Sequence, residues 1–354
     1  MRALVTGATG LIGAQVVRAL VAAGHEVRCL VRQTSRRDAL DGLQVTWVIA
    51  DLSHPDRDLD TACSECDVVF HTAALFAYGA VSPTVLHGIA VAGTEAMLRA
   101  CARHGVRTVV VTSSSVVFGY RDDTASICET ATLVSGDGEA PYVGAKIAQH
   151  RRSLKLGETL KLDVRFACPT MTIGPTSSRL GPSNGMIVGY LADPFGSTYP
   201  GGCNIVSARD VADGHLLIAE HGSAGESYLL GSENLTWRQI HGMIAELAGV
   251  APPRVELNHA SAFLAATVEE IRAAMAGIPA LSTREQAAMV GRHYWYSHAK
   301  ATALGYSPAP ARNALIETIS WLAASEHVTR EVRTRMHLSA DIYRYRAATT
   351  ETPH

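Results

Sequence analysis

The chain has 354 residues, 47% of them hydrophobic and 18% charged, which excludes a disordered polypeptide and allows one large domain or two modest ones. Its 31 Lys+Arg stand against 33 Asp+Glu, and a formal charge of −2 lacks the basic excess of a dedicated nucleic-acid binder. No apolar run approaches the roughly 18 residues of a membrane-spanning helix, MRALVTGATG does not read as a secretory signal, and seven scattered cysteines suggest reduced thiols in a cytoplasmic protein.

Short runs rich in Val, Ile and Leu occupy 3–6, 26–31, 45–50, 67–71, 108–113 and 162–167. Segments of helical spacing lie between them, the first carrying Ile12, Val16, Val17, Leu20 and Val21. That alternation predicts an α/β fold: a doubly wound parallel sheet, the Rossmann fold, with a smaller, mostly helical C-terminal substrate lobe. Residues 1–168 are read as the dinucleotide-binding domain. The segment 203–232 returns to it with strands at 204–207 and 226–230 around a helix at 211–220. The substrate lobe takes 169–202 and 233–324, with a helix at 237–248 capped from 234–236 and a Pro-rich joint at 307–310. The polar tail 325–354 is expected to be a helix with a frayed end.

Gly7, Thr9, Gly10, Leu11, Ile12 and Gly13 follow the first strand and open the first helix. Glycines there make the tight turn, let backbone amides approach a pyrophosphate and permit close helix–strand packing, so the segment is a candidate dinucleotide site. The second strand ends without a carboxylate in Val27–Arg37. Arg32 sits at its end and Arg36 nearby, where a guanidinium suits a 2′-phosphate; a solvated basic loop is the alternative. NADP(H) is therefore expected over NAD. Asp51 and Leu52 end the third strand beside the expected adenine, although Asp51 can equally cap a helix. Ala73 and Ala74, small residues after the fourth strand, let the backbone pass the cofactor, and His71 before them is expected to be packed and hydrogen-bonded.

Tyr142 and Lys146 are four apart, so a helix puts both on one face. A nearby ammonium favours a phenolate and lowers the phenol's pKa, fitting Tyr142 for proton exchange with a carbonyl or alcohol oxygen. The strand 109–111 runs into Thr112, Ser113, Ser114 and Ser115, hydroxyls at the sheet edge where ligands bind. One of them can hold the reacting oxygen beside Tyr142, or they only cap the strand.

These motifs in order resemble the extended short-chain dehydrogenase/reductases of the NAD(P)-dependent epimerase/dehydratase superfamily, in their dihydroflavonol-4-reductase-like branch. Thr6–Gly13 matches TGxxGxxG, Arg32 the branch's NADP-selecting arginine, 71–74 HxAA, 112–119 TSSxxxxG, 142–146 YxxxK and 168–175 the NPTxxxGP run. The resemblance implies Ser114 as the catalytic serine by its distance from Gly119, Tyr142 as general acid and Lys146 on the nicotinamide ribose. It also implies that Thr112, Ser113, Pro169, Thr170 and Thr172 line the cofactor, and that a homodimer forms through the helices at 90–102 and 142–156. Ala90 replaces the Asn usual in the family's NVxGT helix, and Cys168 a frequent Asn.

Candidate pocket-wall residues are Phe76, Tyr78, Ser114, Ser115, Met171, Met186, Ile187, Tyr190 and Phe195. Arg179 is the single cation between Pro169 and Gly202. That suits an apolar or moderately polar carbonyl compound better than a nucleotide sugar, and Arg209 reads as a substrate contact or a salt bridge. An NADPH-dependent carbonyl reductase is thus the leading expectation, ahead of a nucleotide-sugar epimerase/dehydratase with tightly bound NAD and a non-catalytic NAD(P)-sensing protein. No metal is expected: Cys63 and Cys66 have no second ligand pair.

Overall fold

The apolar runs become strands, followed in chain order through the computed structural model, which describes residues 1–52, 58–73, 83–135, 140–176, 180–277, 280 and 282–350. The strands are Arg2–Thr6 (β1), Glu26–Val31 (β2), Thr46–Ile49 (β3), Val68–His71 (β4), Thr108–Thr112 (β5), Asp163–Pro169 (β6), Met171–Ile173 (β7), Ser197–Thr198 (β8), Gly202–Ser207 (β9), Ser227–Leu230 (β10), Glu233–Thr236 (β11), Val255–Glu256 (β12) and His293–Tyr294 (β13). The principal sheet has seven strands in the order β10-β6-β5-β4-β1-β2-β3, every neighbouring pair parallel. Strand order reverses between β1 and β4, and open parallel sheets bind ligands beyond the carboxyl ends of such a pair.

The helices are Leu11–Ala22 (α1), Asp58–Cys63 (α2), Pro83–His87 (α3), Thr94–Arg103 (α4), Pro141–Leu160 (α5), Pro182–Ala192 (α6), Ala208–His221 (α7), Trp237–Ala248 (α8), His259–Ala276 (α9), Arg284–Ala287 (α10), Ala299–Thr302 (α11), Ala311–Ala324 (α12), Arg330–Arg335 (α13) and Ala340–Thr350 (α14). Val16, Val17 and Leu20 of α1 and Val211 and Ile218 of α7 pack on one side of the sheet. Met97 and Leu98 of α4 and Ile147 and Leu156 of α5 cover the other. Between α3 and α4, Gly88–Gly93 winds as a π-helix. A strand covered on both faces is apolar at consecutive positions, which is why β4 and β5 read as unbroken Val-rich runs.

The region after β6 is more strand-rich than its composition suggests. In a second sheet β9 pairs with β7, β11 and β13, and β8 and β12 form a separate two-stranded sheet. Residues 234–236, expected as cap candidates alone, belong to β11, and Thr236 caps α8 in a reciprocal box with Gln239. The tail also departs from expectation. Up to residue 350 it forms two helices, α13 and α14, rather than one, and buries Val328, Val332 and Ile342 in the core shared by α6, α8 and α12; the end expected to fray lies outside the described residues. Arg346 holds it down, its Nε donating to Ser320 Oγ at 3.0 Å and its Nη2 to Ser320 O at 2.8 Å. No helix among the described residues is long and apolar enough to cross a membrane.

Candidate active site

β1 runs into a turn closed by Gly10 N donating to Gly7 O at 2.9 Å, and α1 begins at Leu11. Gly7 has φ +65°, and a Cβ there would lie 2.8 Å from Ala73 Cα, while a Cβ at Gly13 would collide with Gly7 O. Both positions exclude side chains so that the turn can press against the end of β4. Gly10 caps α1 without a side-chain bond, and no acidic residue lies in the first turn. Those first amides and the positive end of the helix dipole fit an anion such as a dinucleotide pyrophosphate. Ala73 thus lies against the turn, Leu11 beside Gly174, and Leu52 against Gly93 of the π-helix. Thr9, Ile12 and Asp51 are partly exposed nearby in the chain.

The basic segment after β2 divides its arginines. Arg36 pairs with Asp38 at 2.9 Å, and the Arg37 guanidinium lies 4.9 Å from the Trp47 ring centre. Arg32 uses its backbone N–H, which donates to Ser35 Oγ at 3.1 Å, and its guanidinium has no hydrogen bond or ion pair among the described residues. Arg36 is thus engaged by a carboxylate, whereas Arg32 and Arg37 have no ion pair among the described residues.

The hydroxyl run after β5 is sorted by its partners. Thr112 Oγ1 and His215 Nε2 are 2.8 Å apart, and Ser113 Oγ and His150 Nδ1 are 2.9 Å apart. Ser115 hydrogen-bonds Tyr296, whose Oη donates to Gly119 O at 2.6 Å. Ser115, expected in the pocket wall, is therefore engaged beneath it. Ser114 is the hydroxyl that hydrogen-bonds the Tyr142 phenol. Pro141 at its first turn starts α5, which carries Tyr142 and Lys146 to this edge.

The electrostatics correct one expectation. Burial pushes the Tyr142 phenol up to about 12, opposed by the Ser114 hydrogen bond, and Lys146 is not what governs it. Burial also lowers Lys146 to about 8, with Cys168 opposing. The reason is the direction of the ammonium: Lys146 Nζ donates to Thr112 O at 2.9 Å and Gln149 Oε1 at 3.0 Å. The protein alone thus keeps Tyr142 a protonated acid. His71 is buried, its ring nitrogens 2.9 Å from Thr6 Oγ1 and Thr94 Oγ1.

Other candidates have partners or positions of their own. Thr170 Oγ1 donates to Asn204 Oδ1 at 2.8 Å, Thr172 Oγ1 donates to Thr170 O at 3.1 Å, and Pro169 ends β6 opposite Leu230. Ile187 is wholly buried and Tyr190 Oη donates to Ala251 O, so both serve the core of the lobe rather than a pocket wall. Met171 and Met186 lie half-buried against that core, and Phe195 is 71% exposed. Arg209 pairs with Glu317 at 3.3 Å. Ala74, Phe76, Tyr78 and Arg179 lie outside the described residues. Sequence reasoning passed over Gln149 and Thr94; the signal was Gln149 standing three residues beyond Lys146 on the same helix face.

Comparison with known proteins bears on family and fold. The profile of the NAD dependent epimerase/dehydratase family matches residues 3–231. A protein of Synechocystis sp. (strain ATCC 27184 / PCC 6803 / Kazusa), whose name describes a dihydroflavonol 4-reductase, is 29% identical over 322 residues, 90% of this chain and 93% of that one. Sterol demethylase protein B of Methylococcus capsulatus (strain ATCC 33009 / NCIMB 11132 / Bath) is 33% identical over 73% of this chain and 77% of its own. Among solved structures, gox2253 superposes with a TM-score of 0.81 at 34% identity, covering 92% of this chain and 99% of that one. The UDP-glucose 4-epimerase of Thermus thermophilus, solved with NAD, has a TM-score of 0.73 at 22% identity over 92% of this chain and 100% of its own, a likeness of fold.

Proposed function

The chain belongs to the NAD dependent epimerase/dehydratase family and is an oxidoreductase, and on that premise we propose that it reduces a ketone or aldehyde with NADPH, reversibly. The observation that carries this reading is the buried Tyr142 phenol at the carboxyl edge of the sheet, with Ser114 acting on it and Lys146 four residues on in the same helix. The α1 turn and Ala73 would hold the dinucleotide, and Arg32 the 2′-phosphate. When bound, the cofactor supplies hydride to the carbonyl carbon or accepts it from the alcohol. Ser114 Oγ orients the carbonyl oxygen, Tyr142 Oη gives it a proton as the C=O π bond opens, and the Lys146 ammonium, already charged, offsets the negative charge of the phenolate so formed. In the reverse direction Tyr142 takes the proton back.

Substrates are expected to be apolar or moderately polar, because Arg179 is the single cation in the 33 or so residues after Pro169, too few for a nucleoside diphosphate. The reading extends to a cytoplasmic homodimer joined through α4 and α5, which light scattering of the purified protein checks. Purified protein should oxidise NADPH when offered aromatic and alicyclic ketones and aldehydes. Arg32→Ala should weaken NADPH binding about 10- to 100-fold, the weight of a charge-assisted bond, with NADH little changed. Turnover of a nucleotide sugar with NAD retained through purification, and none of the carbonyl panel, would replace the reductase by an epimerase.

A further inference from the structure

Gln149 lies one turn beyond Lys146 on α5 and is 1% exposed. An ammonium only donates, so the amide must turn its oxygen to Lys146. Its Nε2 then donates to Thr94 Oγ1 at 2.8 Å. The Thr94 hydroxyl directs its own proton to Ala90 O at 2.7 Å, so Oγ1 is left to accept from His71 Nε2. This bonding assigns the His71 tautomer: Nε2 carries the proton and Nδ1 accepts from Thr6 Oγ1. Thr6 Oγ1 in turn accepts from Ala73 N at 3.2 Å. The lysine sets the direction at Gln149, and the Ala90 carbonyl sets it at Thr94 and so at His71.

The bonds run from the catalytic edge, across the π-helix that supplies Ala90 O, to the strand end against which Gly7 rests. They cannot carry a proton through, since that would require a protonated amide at Gln149; they can brace. A leucine would fill the same volume without desolvating an amide, but it would deprive the Lys146 ammonium of an acceptor in the interior and leave Thr94 short of a donor. Ala90 contributes only its carbonyl, so the side-chain amide in this network comes from α5.

We infer that Gln149 is the positioning residue of Lys146: its amide fixes the ammonium on the floor of the site and ties it, through Thr94 and His71, to the strand end under the glycine turn. This rests on Tyr142 and Lys146 being the reacting pair, and Gln149 acts through Lys146 without meeting substrate. Besides Tyr142, the titratable groups around Lys146 are His71 on β4, His150 on α5 and Cys168 on β6.

The test is an NMR titration of full-length protein with 13C at the lysine Cε, the Lys146 signal being identified by its loss in Lys146→Arg. Gln149→Glu, which replaces one nitrogen by oxygen, should raise the Lys146 midpoint by at least one pH unit. Gln149→Leu should lower it by a similar amount. With a carbonyl substrate, the alkaline limb of kcat/KM should move in the same directions while KM for NADPH holds within about twofold. A Lys146 midpoint equal to wild type in Gln149→Glu overturns the proposal, even if Gln149→Leu fails to fold. Absence of any carbonyl turnover overturns the reductase reading, and the titration still decides the role of Gln149.

Discussion

The floor of the site and the lobe that follows β6 are built by opposite means. On the floor, three buried histidines each meet a hydroxyl at the carboxyl edge of the sheet: His71 with Thr6, His215 with Thr112, and His150 with Ser113. In the lobe, α6, α8, α12 and α14 meet through Ile, Leu and Val, with ion pairs such as Arg312 to Glu246 and Asp341 at the rim. Directional bonds fix where a side chain points; apolar packing fixes only that a volume is filled. The floor is accordingly suited to holding a reacting constellation, and the lobe to being reshaped around different substrates.

The largest expected contrast is in acid. Burial, with Lys146 adding to it for His71 and His150, lowers His71 to about 3 and His150 and His215 to about 4. Unfolded histidines take up protons near 6.5, so stability present above that pH is lost as pH falls towards 4. At pH 5 each of the three costs about 2 kcal/mol, together on the order of the whole stability of a domain. Urea titrations at pH 7 and pH 5 should show the loss, and hydrogen exchange should open β4 and β5 along with it. In the lobe, His241 is lowered to about 4 beside Tyr190 and Trp237, and burial also lowers His298. Equal stability at both pH values would erase the contrast.

Tyr142→Phe comes next. It removes the donated proton and leaves the ring, so carbonyl reduction should fall about 10²- to 10⁴-fold, roughly 3–5 kcal/mol on the barrier, with the fold unchanged. Retained turnover would show that the floor organises something other than this proton transfer. In the lobe, Ile342→Ala should do the converse. It opens a wholly buried site in α14 and should cost about 2–4 kcal/mol of stability, read by urea denaturation, with kcat within about twofold of wild type.

The same contrast governs what was legible in the sequence. β1, β4 and β5 were plain because strands buried on both faces are apolar at consecutive positions, and the glycine turn because backbone contact at Gly7 and Gly13 admits no other residue. Tyr142 and Lys146 were found by helical spacing. Gln149 was not, since a glutamine inside a helix reads as a solvated position until its partners are seen. Ile187 and Tyr190 read as pocket wall in the sequence because core and pocket use the same side chains. The docking of the tail rests on Val328, Val332 and Ile342, too sparse in a charged segment to give a periodic signal.

The smallest effect sharpens the comparison furthest, because it acts on the lobe through a directional bond. Thr236 caps α8, its side chain accepting from Gln239 N while Gln239 Oε1 accepts from Thr236 N at 2.9 Å. Thr236→Ala should cost about 1 kcal/mol, and Thr236→Ser almost nothing, since the hydroxyl rather than the methyl group makes the cap. Calorimetry of the two variants reads that difference. If directional bonds in the lobe only stabilise, kcat and KM stay at wild-type values in both. If Thr236→Ala instead changes KM for one carbonyl substrate relative to another, with kcat held, the start of α8 shapes recognition. The lobe would then use directional bonds for specificity as the floor uses them for chemistry.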